Sequence, residues 1–203
     1  MDDVLDGDWS VKINGLTQRS KLAYQTIPQN FRFEPGVTYK VSFDYQAGSD
    51  DTYGVVVGAG EYTGATNLET LKKSLGTTAH YEREIVGDIT GQTWFGIYST
   101  STAPDLQGVN SSSAQANFGG YKELVLDNLV IEKVEQNITI DTLKDLIATA
   151  EGYNKEDYTA ADWKKLDDAL TKAKVAVNRD KTSADEIESA YYALNGAINY
   201  IAS

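Results

Sequence analysis

The chain has 203 residues, with 30 Asp+Glu against 18 Lys+Arg, one histidine and no cysteine. The missing thiols exclude a disulfide framework, thiolate metal sites and cysteine nucleophiles, and a single imidazole excludes zinc motifs that need two. A formal charge of -12 argues against nucleic acid as a partner, and no apolar run is long enough to span a membrane as a helix. Met1-Asp2-Asp3 has neither the basic nor the apolar stretch of a secretion signal, so none is expected there.

Composition predicts two domains, 1–135 and 136–203. The first holds 15 of the 17 glycines, all three prolines and all five phenylalanines; the second is rich in Ala, Lys, Asp and Leu. Acidic residues exceed basic ones in both parts, 18 to 10 and 12 to 8, so the negative charge belongs to both surfaces. Such a spread excess reads as a solubility device, the alternative being a Ca²⁺-rich surface.

The first domain reads as antiparallel β. Trp9, Val11 and Ile13 alternate with Ser10, Lys12 and Asn14, a half-buried strand in which Trp9 is expected in the core. Leu22 to Ile27 is a second short strand. Pro35-Gly36 is a turn, followed by the clearest alternation in the chain, Tyr39, Val41, Phe43 and Tyr45 against Lys40, Ser42 and Asp44. Tyr53–Val57, Thr93–Ser99 and Lys122–Val134 supply further strands. Short strands separated by turn signals predict a β-sandwich. Thr100 to Gly120 is long, small and polar, the composition of a functional rim or flap.

The second domain reads as three helices. Leu143, Ile147 and Ala150 share a face, as do Trp163, Leu166, Leu170, Ala173 and Val177, and Ile187, Ala190, Tyr191, Leu194, Ala197, Ile198 and Ile201. Thr159-Ala-Ala-Asp162 and Ser183-Ala-Asp-Glu186 mark two helix starts as capping boxes. The fold class is therefore all-β followed by all-α, a β-sandwich and then a three-helix bundle. The connection Glu132–Thr139 is short and lacks Gly and Ser, so a restricted joint is expected.

Two resemblances follow from longer runs. Tyr158-Thr-Ala-Ala-Asp-Trp163-Lys-Lys-Leu166-Asp-Asp-Ala169-Leu170, with Ala190-Tyr-Tyr-Ala-Leu194-Asn-Gly-Ala197, resembles the FIVAR module of Gram-positive surface proteins and glycosidases. Tyr24-Gln-Thr-Ile-Pro-Gln-Asn-Phe-Arg-Phe-Glu-Pro-Gly36, then Tyr39 to Tyr45 and Leu126-Asp-Asn-Leu-Val-Ile131, resembles a galactose-binding-like jelly roll. The longest of these runs is similar to the accessory sandwich of endo-α-N-acetylgalactosaminidases, glycoside hydrolase family 101. That resemblance implies an extracellular or bacterial cell-surface fragment, itself non-catalytic, of an enzyme that releases a disaccharide from mucin-type O-glycans. Its implied partners are a galactose- or N-acetylgalactosamine-type glycan and the catalytic domain of the parent chain; a monomer is expected. A jelly roll of this kind usually has a strand before the one holding Trp9, so an exposed edge or a reordered sheet is expected.

Two candidate sites follow. Sugar binding needs an aromatic face and planar polar groups. Tyr62 and Phe118, with His80, Arg83 and Asn117 as donors and acceptors, are the candidates, and Tyr53, Tyr81 and Tyr121 are further aromatics in the same regions. The competing reading makes His80 a surface loop residue and the aromatics core fillers. Trp94 and Tyr98 alternate with Phe95 and Ile97; one pair is core and the other is free to line a groove. Asp127 shares a parity with Val125, Leu129 and Ile131, and an inward carboxylate needs a cation or hydrogen-bond donors. The jelly-roll resemblance implies structural Ca²⁺ there; the alternative is an Asp that caps a turn or binds a buried amide. The carboxylate pairs Asp50-Asp51, Glu82/Glu84 and Asp167-Asp168 read as surface charge, without the cleft that glycoside hydrolysis requires. Three functions compete: a carbohydrate-binding module, a structural spacer, and an adhesin-like unit.

Overall fold

The computed structural model describes residues 4–13, 22–48, 50, 53–60, 65–99 and 123–202. Eight strands lie among them: β1 (Val11–Ile13), β2 (Leu22–Gln25), β3 (Thr38–Ala47), β4 (Tyr53–Ala59), β5 (Ala65–Thr70), β6 (Ala79–Val86), β7 (Thr93–Ser99) and β8 (Leu124–Lys133). They form two four-stranded sheets, ordered β1-β8-β3-β6 and β2-β7-β4-β5, which make an antiparallel β-sandwich. Three helices follow, α1 (Ile140–Glu151), α2 (Ala160–Asn178) and α3 (Ala184–Ala202).

The chain groups into two compact units. One is Met1–Arg32, Lys40–Glu84 and Gln92–Glu132; the other is Phe33–Tyr39, Ile85–Gly91 and Lys133–Ser203.

In the first unit, β3 follows its sequence pattern. Val41 and Phe43 are fully buried and Tyr45 nearly so, while Lys40, Ser42 and Asp44 are half-buried on the opposite side. Strands β5 and β6 have no counterpart in the sequence reading. Arg83 and the three glutamates of the region interrupt any apolar alternation, and both strands lie at sheet edges, where one flank is open to polar residues. In the other sheet, register places Gly54 opposite Tyr98, Gly58 opposite Trp94 and Gly96 opposite Val56. Paired residues share a face. The glycines therefore leave one face low enough for two rings to lie across it, where Trp94, Tyr98 and Val56 form their own buried cluster. The other face carries Tyr53, Val55, Phe95 and Ile97, at 0–1% exposure. Parity separates the two aromatic sets as the sequence indicates, but neither lines an open groove: Trp94 and Tyr98 are 5% and 6% exposed.

The expectation for Trp9 is wrong. Its side chain is 87% exposed and that of Val11 61%. Alternation fixes the side on which a residue lies, not whether anything covers that side. Trp9 precedes a three-residue strand at the edge of its sheet, where β8 is the only paired neighbour among the described residues.

In the second unit, the predicted helical stripes meet in one core, centred on the fully buried Leu143, Leu166, Ala173 and Leu194. The starts are capped as the sequence indicates: Thr159 accepts from the Asp162 amide at 3.2 Å, and Ser183 accepts from the Glu186 amide at 3.2 Å while Glu186 accepts from the Ser183 amide at 3.0 Å. A third box, Thr139 with Thr142, starts α1; Thr at its third position hid it from the usual acidic pattern. One face of α3 holds the segments 33–39 and 85–91. Asn195 Nδ2 donates to the Gly36 carbonyl at 2.7 Å, Asn199 Nδ2 to the Val86 carbonyl at 2.9 Å, and the Ile89 amide to the Gly196 carbonyl at 3.2 Å.

Candidate functional site

The predicted sugar-binding residues divide. Tyr62, Asn117 and Phe118 lie outside the described residues, as do Tyr121 and the Thr100–Gly120 segment. His80 and Arg83 are both exposed on β6, a strand rather than a loop. Three positions apart, they point to opposite faces of the strand. His80 sides with Glu82 and Glu84, and Arg83 with Tyr81 and Ile85, which are each 5% exposed. The two do not share a site. Tyr53, a further aromatic candidate, is only 1% exposed.

His80 belongs to a polar network on its face of the β1-β8-β3-β6 sheet. Its Nδ1 lies 2.7 Å from Asp44 Oδ1 on β3, and Asn128 Nδ2 on β8 donates to Asp44 Oδ2 at 2.9 Å. These bonds hold the Asp44 carboxyl below the usual carboxylate range, Asn128 having the larger effect and His80 the next. Lys40 on β3 pairs with Glu132 on β8 at 2.6 Å and stands 3.9 Å from Glu82. Neither Asp44 nor Asn128 was singled out from sequence. The alternation that turns Asp44 away from the core was visible; its cross-strand partners were not.

Asp127 is adjacent but differently engaged. Asn128 has φ +49°, a left-handed conformation that Asn tolerates, and it breaks the alternation of β8. Leu124, Val125 and Leu126 are consecutively buried at 0–8% before it. Asp127 Oδ2 accepts the Ser10 hydroxyl at 2.6 Å and the Asp6 amide at 3.1 Å, and Oδ1 accepts the Asn128 amide at 2.7 Å. These donors, Ser10 foremost, lower the Asp127 pKa. The residue thus ties the turn before β1 to β8. Asp127 thus faces three hydrogen-bond donors. Among the described residues, no three His, Asp or Glu side chains gather into a metal-holding group. The arrangement is that of a hydrogen-bonded anchor between this turn and β8.

On the opposite face of β6, Tyr81 stacks on Phe43 with ring centroids 4.9 Å apart and an interplanar angle of 23°. Burial raises the Tyr81 pKa; Arg83 acts in the lowering direction and Glu69 of β5 in the raising one. The carboxylate pair Glu82/Glu84 is exposed on the other side of β6, and Asp168 on α2 is bound by Lys164 at 2.8 Å. Neither pair lies in a cleft.

The model of one family, described as galactose-binding domain-like, matches residues 1–120. The chain belongs to the galactose-binding domain-like family. The match stops short of β8, which completes the β1-β8-β3-β6 sheet. Among solved structures, the chain is similar to one described as "CBM4 structure and function", at 12% identity and a TM-score of 0.31, over 51% of this chain and 69% of that one. It is also similar to the CBM51-2 and INT domains of Clostridium perfringens ZmpB, at 11% identity and a TM-score of 0.29, over 84% of this chain and 33% of that one. The same domains in complex with GlcNAc give 11%, 0.29, 82% and 33%. The chain therefore spans about a third of the ZmpB chain. Likenesses this distant carry no functional argument of their own.

Proposed function

We propose that this chain is a non-catalytic, carbohydrate-binding accessory region. The galactose-binding domain-like match over residues 1–120 carries this reading. The described carboxylate pairs support the non-catalytic part, because they stand exposed on a strand or a helix rather than facing one another across a cleft. The finer reading is a piece of an extracellular bacterial glycosidase acting on mucin-type O-glycans, with a sugar-binding sandwich over 1–135 and a FIVAR-like bundle over 136–203. It rests on the runs Tyr24–Gly36 and Tyr158–Leu170. A module of this kind holds its parent near substrate by raising effective concentration.

The test is a glycan array probed with the chain, beside an assay for disaccharide release from a mucin-type glycopeptide. Binding to galactose- or N-acetylgalactosamine-terminated glycans without release is the expected result. Release by the chain alone would contradict it. A second reading, a structural spacer, is favoured by the close-packed glycines and asparagines of the second unit, which suit a rigid element; it predicts an array with no signal.

A further inference from the structure

One face of α3 is covered along only part of its length. Asn195, Gly196 and Asn199 hold the segments 33–39 and 85–91 through the hydrogen bonds described above. In the turns before them, Asp185, Glu188 and Tyr192 continue the stripe at helical spacing. There the surface opens as a shallow depression of about 470 Å³. Its apolar lining comes from Pro35, Ile89, Tyr192 and Ala193, and its acidic lining from Asp185 and Glu188. All six residues belong to the second compact unit.

The two carboxylates are exposed, and among the described residues no ion pair involves either. The nearby cations are engaged elsewhere: Arg179 with Glu186 at 2.7 Å, and Lys133 with Glu34 at 4.0 Å. The helix start uses Glu186 for its capping box. Asp185 lies in the first turn, where it complements the helix dipole, but Glu188 stands a turn further on and has no such part. The aromatic wall already accepts a cation: Lys133 Nζ lies 5.7 Å from the centre of the Tyr192 ring. Burial and then Glu188 raise the Tyr192 pKa, and Glu135 and Glu34 add in the same direction, so the field at this ring is negative.

We propose that this depression is a docking point for a lysine side chain presented by a protein partner. The methylene stem lies against Pro35, Ile89 and Ala193, and the ammonium meets Asp185, Glu188 and the Tyr192 ring. A small free amine is a poor occupant, because sites for small molecules enclose most of their ligand and this one is open. A second copy is also a poor occupant, since each chain carries a formal charge of -12. The inference concerns the helical unit and does not rest on the sugar-binding function.

The test titrates the ¹⁵N-labelled 203-residue chain with an acetylated, amidated pentapeptide that has lysine between two pairs of glycines. Saturable shifts are expected at the amides of Gly36, Ile89 and residues 185–193. A peptide with norleucine in place of lysine, and the double variant Asp185→Asn/Glu188→Gln, should each bind about fivefold more weakly or worse. Both carboxylates are exposed, so the variant keeps its fold. Glu156→Gln/Asp167→Asn removes the same charge from exposed positions elsewhere on the bundle, and should stay within about twofold of the parent. The site would be overturned by the absence of saturable shifts, by full binding to the Asp185→Asn/Glu188→Gln variant, or by an equal loss in the two double variants. A dimer in sedimentation equilibrium that Asp185→Asn/Glu188→Gln dissolves would give the depression to a second copy and overturn the proposal.

Discussion

Gly196 of α3 packs against Gly36 so closely that a Cβ on Gly196 would lie 2.9 Å from the Gly36 backbone nitrogen. The reverse contact is tighter: a Cβ on Gly36 would stand 1.8 Å from the Tyr192 carbonyl oxygen, and Gly36 has φ +73°. Backbone opposes backbone, so no side chain can swing away. Gly196→Ala is expected to destabilise by about 2 kcal/mol, and Gly36→Ala by more, because left-handed strain adds to the clash. Chemical denaturation followed by circular dichroism measures both; equal stability of the two variants would contradict the ordering.

Asp127 gives a pH dependence with a definite sign. Its pKa is lowered in the folded state by Ser10 and by the Asn128 and Asp6 amides. Its contribution is therefore present above the unfolded value, near 3.8, and is lost as pH falls through the lower folded value. Asp127→Asn is expected to be less stable by about 1 kcal/mol at pH 7, with the gap closing towards pH 2. Melting curves across that range check it; a gap that widens in acid would contradict the assignment. Because donors surround the carboxylate, adding calcium is expected to leave the melting temperature of the parent unchanged.

The flat aromatic rings of the β2-β7-β4-β5 sheet depend on missing side chains. A Cβ at Gly58 would reach within 2.4 Å of the Trp94 ring, and one at Gly96 within 2.4 Å of the Tyr98 ring. Gly58→Ala and Gly96→Ala are each expected to cost about 1–3 kcal/mol. Gly58→Ala should also shift Trp94 emission, since that ring must lift from the sheet and strain its bond to the Gly60 carbonyl, 3.1 Å long.

Much of this was legible from sequence. The helical stripes were strong because three amphipathic faces had to converge on one core, and Leu143, Leu166 and Leu194 are where the pattern placed them. β3 was legible because its alternation is unbroken over seven residues, Tyr39–Tyr45. β5 and β6 were not, since edge strands carry polar residues on both faces. His80 and Arg83 were grouped by nearness in sequence, which the two-residue period of a strand overrules.

Trp9 is the sharpest departure, and it has its own check. With Trp9 at 87% exposure and Trp94 at 5%, acrylamide should quench the first far more readily than the second. Trp9→Ala is expected to change stability by less than about 0.5 kcal/mol while removing the most quenchable fraction of emission. A loss of several kcal/mol would show that Trp9 is a core residue after all.

Sugar recognition by the sheet-built part of the chain is tested most directly by titrating ¹⁵N-labelled protein with galactosyl-β-1,3-N-acetylgalactosamine and following amide shifts. Saturable changes among the strands β1 to β8, with α1 to α3 unmoved, are predicted. Shifts confined to the helices, or none at millimolar sugar, would contradict the account.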